Sequence, residues 1–362
     1  MWRVDTSDIE RYMSITDDFV KDFFNWINNN KGQPESVIER SLEKDDTKFG
    51  NVVNRLNTLS ELLISLTLQG DVEAVINQYE NMTLDYFAYI TSGANTVGFS
   101  NKTNEIIERL FGYFYKDLLN TKTFWEQYDN GFNNPSKRKF RDEFGRNHPI
   151  CPYCDTNNIM FYKESNSDHF LAYSHFPLLS IHWKNLVVSC LSCNLYIKND
   201  QFIGTKDGIS EYIPILHPYF DEVAEYITFK FDDELNISIT ESDNEKAINY
   251  CELFELEEKY EGAIHEAISV WEGVQSDVIS NYLIGLNDEV NELIKLEQIY
   301  SEIVNRKKSE KEDKKGTIRF TKLIIDLFEY KLSAQEKNNE LEFLMNEIKS
   351  RRTSTSPLIP SL

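Results

Sequence analysis

Four of the five cysteines stand in two pairs, Cys151-Pro-Tyr-Cys154 and Cys190-Leu-Ser-Cys193, separated by 35 residues. Each pair makes a knuckle that turns both sulfurs toward one ion, and four thiolates complete the tetrahedron that Zn²⁺ prefers. A four-cysteine set leaves no open coordination position, so this zinc is expected to hold structure and perform no chemistry. The separation is longer than in a minimal finger, so the chain between the knuckles is expected to be a structured insert. A redox pair would need only one CxxC and a thioredoxin-like context, which the sequence lacks. The fifth thiol, Cys251, reads as a core residue.

Between and just after the knuckles stand Ser167-Asp168-His169-Phe170-Leu171, then Lys184-Asn185-Leu186-Val187-Val188-Ser189, then Cys193-Asn194-Leu195-Tyr196-Ile197-Lys198. A neutral imidazole such as His169 can take a proton from water near pH 7. Asp168 and Asn194 offer carboxylate and amide oxygens of the kind a hard divalent cation binds.

In order and spacing these residues resemble the HNH nucleases, the zinc-clipped branch of the His-Me finger superfamily. The resemblance covers roughly residues 137–220, under a quarter of the chain. It implies a ββα-metal fold, with a first strand ending near Asp168-His169 and a second carrying residues 186–189. A helix starting around Cys193 would bear Asn194 and Lys198. It further implies hydrolysis of phosphodiester bonds, with His169 as general base and Asp168 and Asn194 holding a catalytic Mg²⁺ or Mn²⁺. Asn185 would pin the loop that orients His169, and Lys198 would contact a phosphate. The third family position is often histidine. Asn194 in its place still belongs to active members and biases the site toward Mg²⁺ or Mn²⁺ over softer ions.

The formal net charge is −22, from 38 basic and 60 acidic residues. A uniformly acidic protein repels phosphate and binds nucleic acid poorly. The charge is uneven, however. Residues 131–200 hold eight basic and six acidic residues, a net of +2, so the other 292 residues carry −24. The basic cluster Lys137, Arg138, Lys139 and Arg141 directly precedes the finger and, with Lys198, is expected to meet a nucleic-acid backbone. The expected substrate is nucleic acid, DNA ahead of RNA. The acidic flanks would narrow access to the site or dock a partner. The resemblance extends to nucleases of bacterial anti-phage systems, such as the Septu and retron-associated HNH components, which implies an ATPase partner. A competing reading is a zinc-stabilised nucleic-acid-binding or adaptor protein with an inactive finger; a third is a scaffold using its acidic helices.

The expected fold is mainly α, with a small central α+β ββα-metal domain and a β-hairpin. Residues 1–130 read as a helical region: 60–80 and 104–119 space their apolar residues at three and four. Residues 131–135 read as a loop, and 131–222 as the nuclease domain with its four-cysteine zinc site. Residues 223–349 read as a hairpin followed by acidic helices. Ile227, Phe229 and Phe231 alternate with polar residues, as do Leu235, Ile237 and Ile239, around a turn at 232–234. Leu286, Val290, Leu293, Leu296, Tyr300 and Ile303 form a helical stripe. The charge run 305–315 is expected to cap or link two helices, 320–348 to be another amphipathic stretch, and 350–362 to be a disordered tail. With 41% hydrophobic and 13% aromatic residues the chain can build a core. No apolar run reaches the ~18 residues of a membrane span and the N-terminus lacks an apolar signal segment. The expectation is a cytoplasmic protein without a membrane partner, whose long amphipathic helices could associate into a homo-oligomer.

Overall fold

The computed structural model describes residues 1–92, 98–129, 136–161, 163–201, 214–232, 234–284 and 292–354. Its first third is helical because its aromatic residues recur at helical spacing. Phe19, Phe23 and Ile27 lie on one face of the Ser7–Asn30 helix and are buried. Phe19 and Phe23 meet Phe114 edge-on, with ring centroids 5.3 Å apart in each pair. Such contacts add about 0.5–1.5 kcal/mol each beyond the area they bury.

The stretch 60–80 is two helices, Asn57–Thr67 and Val72–Thr83. The chain breaks at Gln69-Gly70-Asp71, and Asp71 is used elsewhere: its carboxylate accepts from the Ser100 N–H at 2.8 Å and from the Thr103 hydroxyl. Ser100 also accepts from the Thr103 N–H, capping the Asn101–Lys116 helix. That helix is the bed on which the central region lies.

The centre is a two-stranded antiparallel hairpin of β1 (Ser165–His169) and β2 (Leu186–Cys190), in register Ser165↔Cys190 through His169↔Leu186. After β2, Ser192–Lys198 forms a π-helical turn, in which the Asn199 N–H donates to the Asn194 carbonyl five residues back at 2.8 Å. Residues 202–213 and the expected loop at 131–135 lie outside the described residues.

A second antiparallel hairpin follows, β3 (Ile227–Phe231) with β4 (Ile237–Glu241). The alternation in β3 holds, with Ile227, Phe229 and Phe231 buried. Leu235 belongs to the turn and not to β4: its φ is +62°, and the Asp232 carboxylate draws the Glu234 and Asn236 N–H groups around itself.

The remainder is helical: Glu245–Leu253, Leu256–Glu261, Ile264–Ile284, Glu292–Glu312, Thr321–Leu332 and Ala334–Ser354. The charge run begins inside the fourth of these and continues through the turn beyond it. Leu296, Tyr300 and Ile303 are buried and Leu293 is exposed; Leu286 and Val290 lie outside the described residues. The stretch 320–348 divides at Ser333 into two helices, and the last helix runs to Ser354, past the expected start of a tail. Residues 355–362 lie outside the described residues. The protein is thus mainly α, with two small antiparallel hairpins. One continuous set of buried apolar side chains runs from Met1 to Ile348 through all three regions. Among the described residues no helix is long and apolar enough to cross a membrane.

Candidate metal centre and adjoining polar site

The four knuckle cysteines are buried, and their sulfurs all lie within 4.8 Å of one another. The Cys154 and Cys190 sulfurs are 4.0 Å apart, against the roughly 3.8 Å that a tetrahedron with ~2.3 Å Zn–S bonds requires. The donors around them suit thiolates. The Cys190 N–H points at Cys151 Sγ at 3.3 Å and the Cys193 N–H at Cys190 Sγ at 3.4 Å. The Thr156 hydroxyl donates to Cys154 Sγ at 3.1 Å, the Asn157 amide to Cys190 Sγ at 3.4 Å, and Lys259 Nζ to Cys193 Sγ at 2.9 Å. Zn²⁺ with four thiolates is a net dianion, so donors and an ammonium at the sulfurs offset its charge. The set fits a metal ion such as zinc.

The C-terminal region grips this corner. Tyr250 donates to the Tyr153 carbonyl at 2.8 Å and Tyr260 to the Cys154 carbonyl at 2.9 Å. The Phe320 N–H bonds the Asp155 carbonyl at 2.8 Å, and the Tyr153 and Phe254 rings stack at 4.4 Å.

At its other end the β1–β2 hairpin places Asp168 and His169. Asp168 is buried; its Oδ2 accepts from the Tyr153 hydroxyl at 2.8 Å and its Oδ1 from Lys198 Nζ at 3.1 Å. Burial pushes the Asp168 carboxyl above its ordinary pKa, while Lys198 and the Tyr153 hydroxyl oppose that rise. Lys198 is wholly buried and also donates to the His169 carbonyl at 2.7 Å.

His169 is half-buried, its ring 4.4 Å from that of Tyr115. Its Nε2 lies 2.9 Å from the Ser180 carbonyl. A carbonyl only accepts, so Nε2 carries the hydrogen and Nδ1 keeps the lone pair. Burial brings the pKa of His169 down to about 3, with the Lys198 and Lys137 charges adding to it and the Ser180 carbonyl opposing. The ring is therefore neutral at pH 7. Ser180 is itself tied down, its hydroxyl donating to the Phe111 carbonyl at 2.8 Å.

Asn185 is fully buried. Its Oδ1 accepts from the Leu171 N–H and from the Tyr86 hydroxyl, each at 2.8 Å. Its Nδ2 donates to the carbonyls of Leu171 at 3.1 Å and Leu179 at 3.3 Å. The side chain thus clamps both ends of the segment that follows His169. Asn194 is buried and its Nδ2 has no hydrogen-bond partner in the protein.

Asp168, His169 and Lys198 come together. Asn194 lies on the same π-helical turn as Lys198, and Asn185 lies behind the loop. The phosphate contacts expected of Lys198 and Arg141 are corrected by burial. Lys198 turns inward onto Asp168, and the Arg141 guanidinium reaches the Ser165 carbonyl of β1. Lys137 lies 3.2 Å above the Tyr115 ring and donates to the Tyr115 carbonyl, and burial brings its pKa down to about 8. Arg138 and Lys139 are exposed, Arg138 beside Asp142 at 3.7 Å.

The divalent cation that the resemblance implies does not fit these side chains as they stand. Both oxygens of Asp168 already accept from Tyr153 and Lys198. Among the described residues, the four cysteines form the one group of three or more His, Cys, Asp and Glu ligands. A hard cation needs several oxygens free to bind it.

Sequence reasoning missed Tyr86, Tyr115, Tyr153, Ser180 and Lys259. Only Tyr153 carried a signal, as a polar aromatic between two metal-ligand cysteines. Tyr115, which donates to the Ser167 carbonyl at 2.9 Å, and Tyr86 come from helices distant in sequence.

No protein-family model matches the sequence, and no solved structure matches it. Over 90 residues, 25% of this chain, it is 31% identical to protein ea31 of Escherichia phage lambda, and the match spans 27% of that protein.

Proposed function

We propose that the chain is a zinc-stabilised endonuclease of the HNH type that hydrolyses phosphodiester bonds of nucleic acid, with DNA the favoured substrate. The observation that carries this reading is the placing of His169. Its Nε2–H is held on the Ser180 carbonyl, its Nδ1 is left as acceptor, and Asn185 fixes the loop behind it. A neutral imidazole held so can take a proton from water as the hydroxide attacks phosphorus and the leaving oxygen departs. A bound phosphate dianion or monoanion beside the ring would raise its pKa toward the working range. Arg138 and Lys139 are the exposed charges positioned to meet a backbone. A Mg²⁺ or Mn²⁺ at Asp168 is implied by the resemblance alone. Work beside an ATPase in an anti-phage system, and any self-association, likewise belong to the resemblance and to the acidic flanks.

The test uses the zinc-loaded chain and its His169→Ala variant with supercoiled plasmid, single-stranded DNA and transfer RNA, each in brief EDTA, in Mg²⁺ and in Mn²⁺. Cleavage by the wild type, lost by ~10²-fold or more in the variant at unchanged zinc content, is the expected result. The adaptor reading rests on the internal pairing of Asp168 with Lys198. It predicts folded, zinc-loaded protein that binds these substrates and cuts none, and that outcome would replace the nuclease reading.

A further inference from the structure

We propose that the cation serving Asp168 is the ammonium of Lys198, and that this centre takes no divalent metal at that carboxylate. The catalytic half of the inference rests on the nuclease reading; the cation-binding half does not.

Lys198 has the placement of a bound cation. It is wholly buried, 3.1 Å from Asp168 Oδ1 and 2.7 Å from the His169 carbonyl. Those are the two nearest oxygens that a metal beside His169 would seek. The other carboxylate oxygen is closed by the Tyr153 hydroxyl at 2.8 Å. A side chain this buried loses its hydration and its rotamer freedom, and is retained only where fixed acceptors replace the water. A second cation at the same carboxylate would sit a few ångströms from the ammonium, in surroundings that screen the repulsion weakly.

The backbone is shaped for this. An α-helical turn would bring residue 198 above Asn194, on a common face. The π-helical turn, closed by the bond from the Asn199 N–H to the Asn194 carbonyl, inserts an extra residue and brings Lys198 under the hairpin. Asn199 then leaves the turn at φ +46°, in the left-handed region. π-Turns inside helical segments are rare and concentrate at functional sites.

Asn194 points the same way. Its buried, unpartnered atom is the amide nitrogen, a donor. That atom can donate but cannot ligate a cation, so it adds no metal ligand beside Asp168. Of the three Lys198 protons, two are accounted for by Asp168 and the His169 carbonyl. The ammonium stays behind the surface, so it acts on an anionic substrate beside the ring through its field and not by contact. In this reading Lys198 offsets the charge that grows on the phosphate, the role a divalent cation plays elsewhere.

The test is Mn²⁺ binding followed by electron paramagnetic resonance on the zinc-loaded full chain, with cleavage measured in parallel. Wild type and Asp168→Asn are expected to bind Mn²⁺ alike, with no site that depends on Asp168. Lys198→Ala is expected to gain one Mn²⁺ per chain, lost again in Lys198→Ala/Asp168→Asn. In the cleavage arm, wild type is expected to cut equally in brief EDTA, at unchanged zinc content, and in Mn²⁺. Lys198→Ala should fall by ~10²-fold in EDTA and recover with Mn²⁺. A Mn²⁺ site in the wild type that Asp168→Asn abolishes would overturn the inference, as would failure of folded Lys198→Ala to gain one. Should Lys198→Ala not fold, the wild-type and Asp168→Asn comparison decides alone. Absence of cleavage by every protein would remove the nuclease reading and leave the Mn²⁺ result standing.

Discussion

The two ends of the β1–β2 hairpin each hold buried negative charge countered by a lysine, but they are built in opposite ways. At the cysteine end four sulfurs lie within 4.8 Å of one another, and Lys259 arrives from the Leu256–Glu261 helix to donate to Cys193. At the other end a single carboxylate is answered from the π-helical turn after β2 by Lys198, wholly buried. The first lysine would adjust the charge of an ion held by other groups; in the proposal above the second is itself the cation. The supports differ too. Tyr250, Tyr260 and Phe320 of the C-terminal region hold the knuckle, whereas Tyr86, Phe111 and Tyr115 of the N-terminal helices hold the loop around His169. The small central region is thus held by its large flanks through two separate clamps.

This contrast is broken most severely at the cysteine end. Cys154→Ser, or removal of the metal by chelation, should unfold the corner. Apparent zinc binding in four-ligand sites amounts to about 10–16 kcal/mol, which rivals the whole stability of ~5–15 kcal/mol typical of a protein. Tyr153 would leave with the knuckle, so Asp168 would lose its hydroxyl partner as well. Zinc content and a thermal melt read together are the check. A variant that lost its zinc but melted with the wild type would show that the C-terminal clamp suffices alone.

Next in size is Lys198→Met, which keeps the volume and strands Asp168 inside the protein. Removing one member of a buried pair costs about 3–5 kcal/mol. Most of that is the uncompensated carboxylate, so Lys198→Met/Asp168→Asn should recover the larger part of the loss in urea denaturation. If the double variant is no more stable than the single one, the pair is not the buried ionic unit drawn here.

Lys259→Met should do much less. The four sulfurs and their other donors remain, so zinc stays bound. Its affinity should fall by ~10–100-fold, the usual effect of an outer partner. Competition with a chromogenic chelator measures this. Complete zinc loss would make the two lysines equivalent and remove the distinction between the corners.

What could be read in advance follows the same division. The four-cysteine cluster is local chemistry: two short spacings name all four members. The second hairpin is local periodicity, and Ile227, Phe229 and Phe231 announce it. The first hairpin has no such alternation, because β1 is polar and β2 is buried throughout, so the β-rich run 185–189 and the order of Asp168, Asn185 and Asn194 marked it. The inward turn of Lys198 depends on one backbone bond between Asn194 and Asn199, which no spacing reveals. The burial of Arg141 depends on the approach of β1. The break at Gly70 had a local cue, but the use of Asp71 to start a helix near residue 100 did not. Gly112 shows the same limit. It sits inside the Asn101–Lys116 helix at a propensity cost of about 1 kcal/mol, because a Cβ there would lie 2.5 Å from the Tyr173 hydroxyl oxygen.

The smallest effect on stability, and the cleanest on binding, should come from the exposed start of the basic helix. Arg138→Gln/Lys139→Gln leaves every buried partner in place, and surface changes of this kind stay within about 0.5 kcal/mol. The Arg138–Asp142 pair, three-quarters exposed on the arginine side, is of the kind worth little. If these two side chains meet a nucleic-acid backbone, affinity for duplex DNA should drop evenly across sequences. The slope of log affinity against log salt should shrink by up to about two phosphate contacts' worth. The corresponding change at Lys137, which is committed to the Tyr115 ring and carbonyl, should instead lower stability, because Tyr115 supports both β1 and the His169 ring. Fluorescence anisotropy at several salt concentrations, beside a urea melt of each variant, separates the two behaviours. An unchanged salt slope for the double variant would move the nucleic-acid contact away from this helix and onto a surface still to be found.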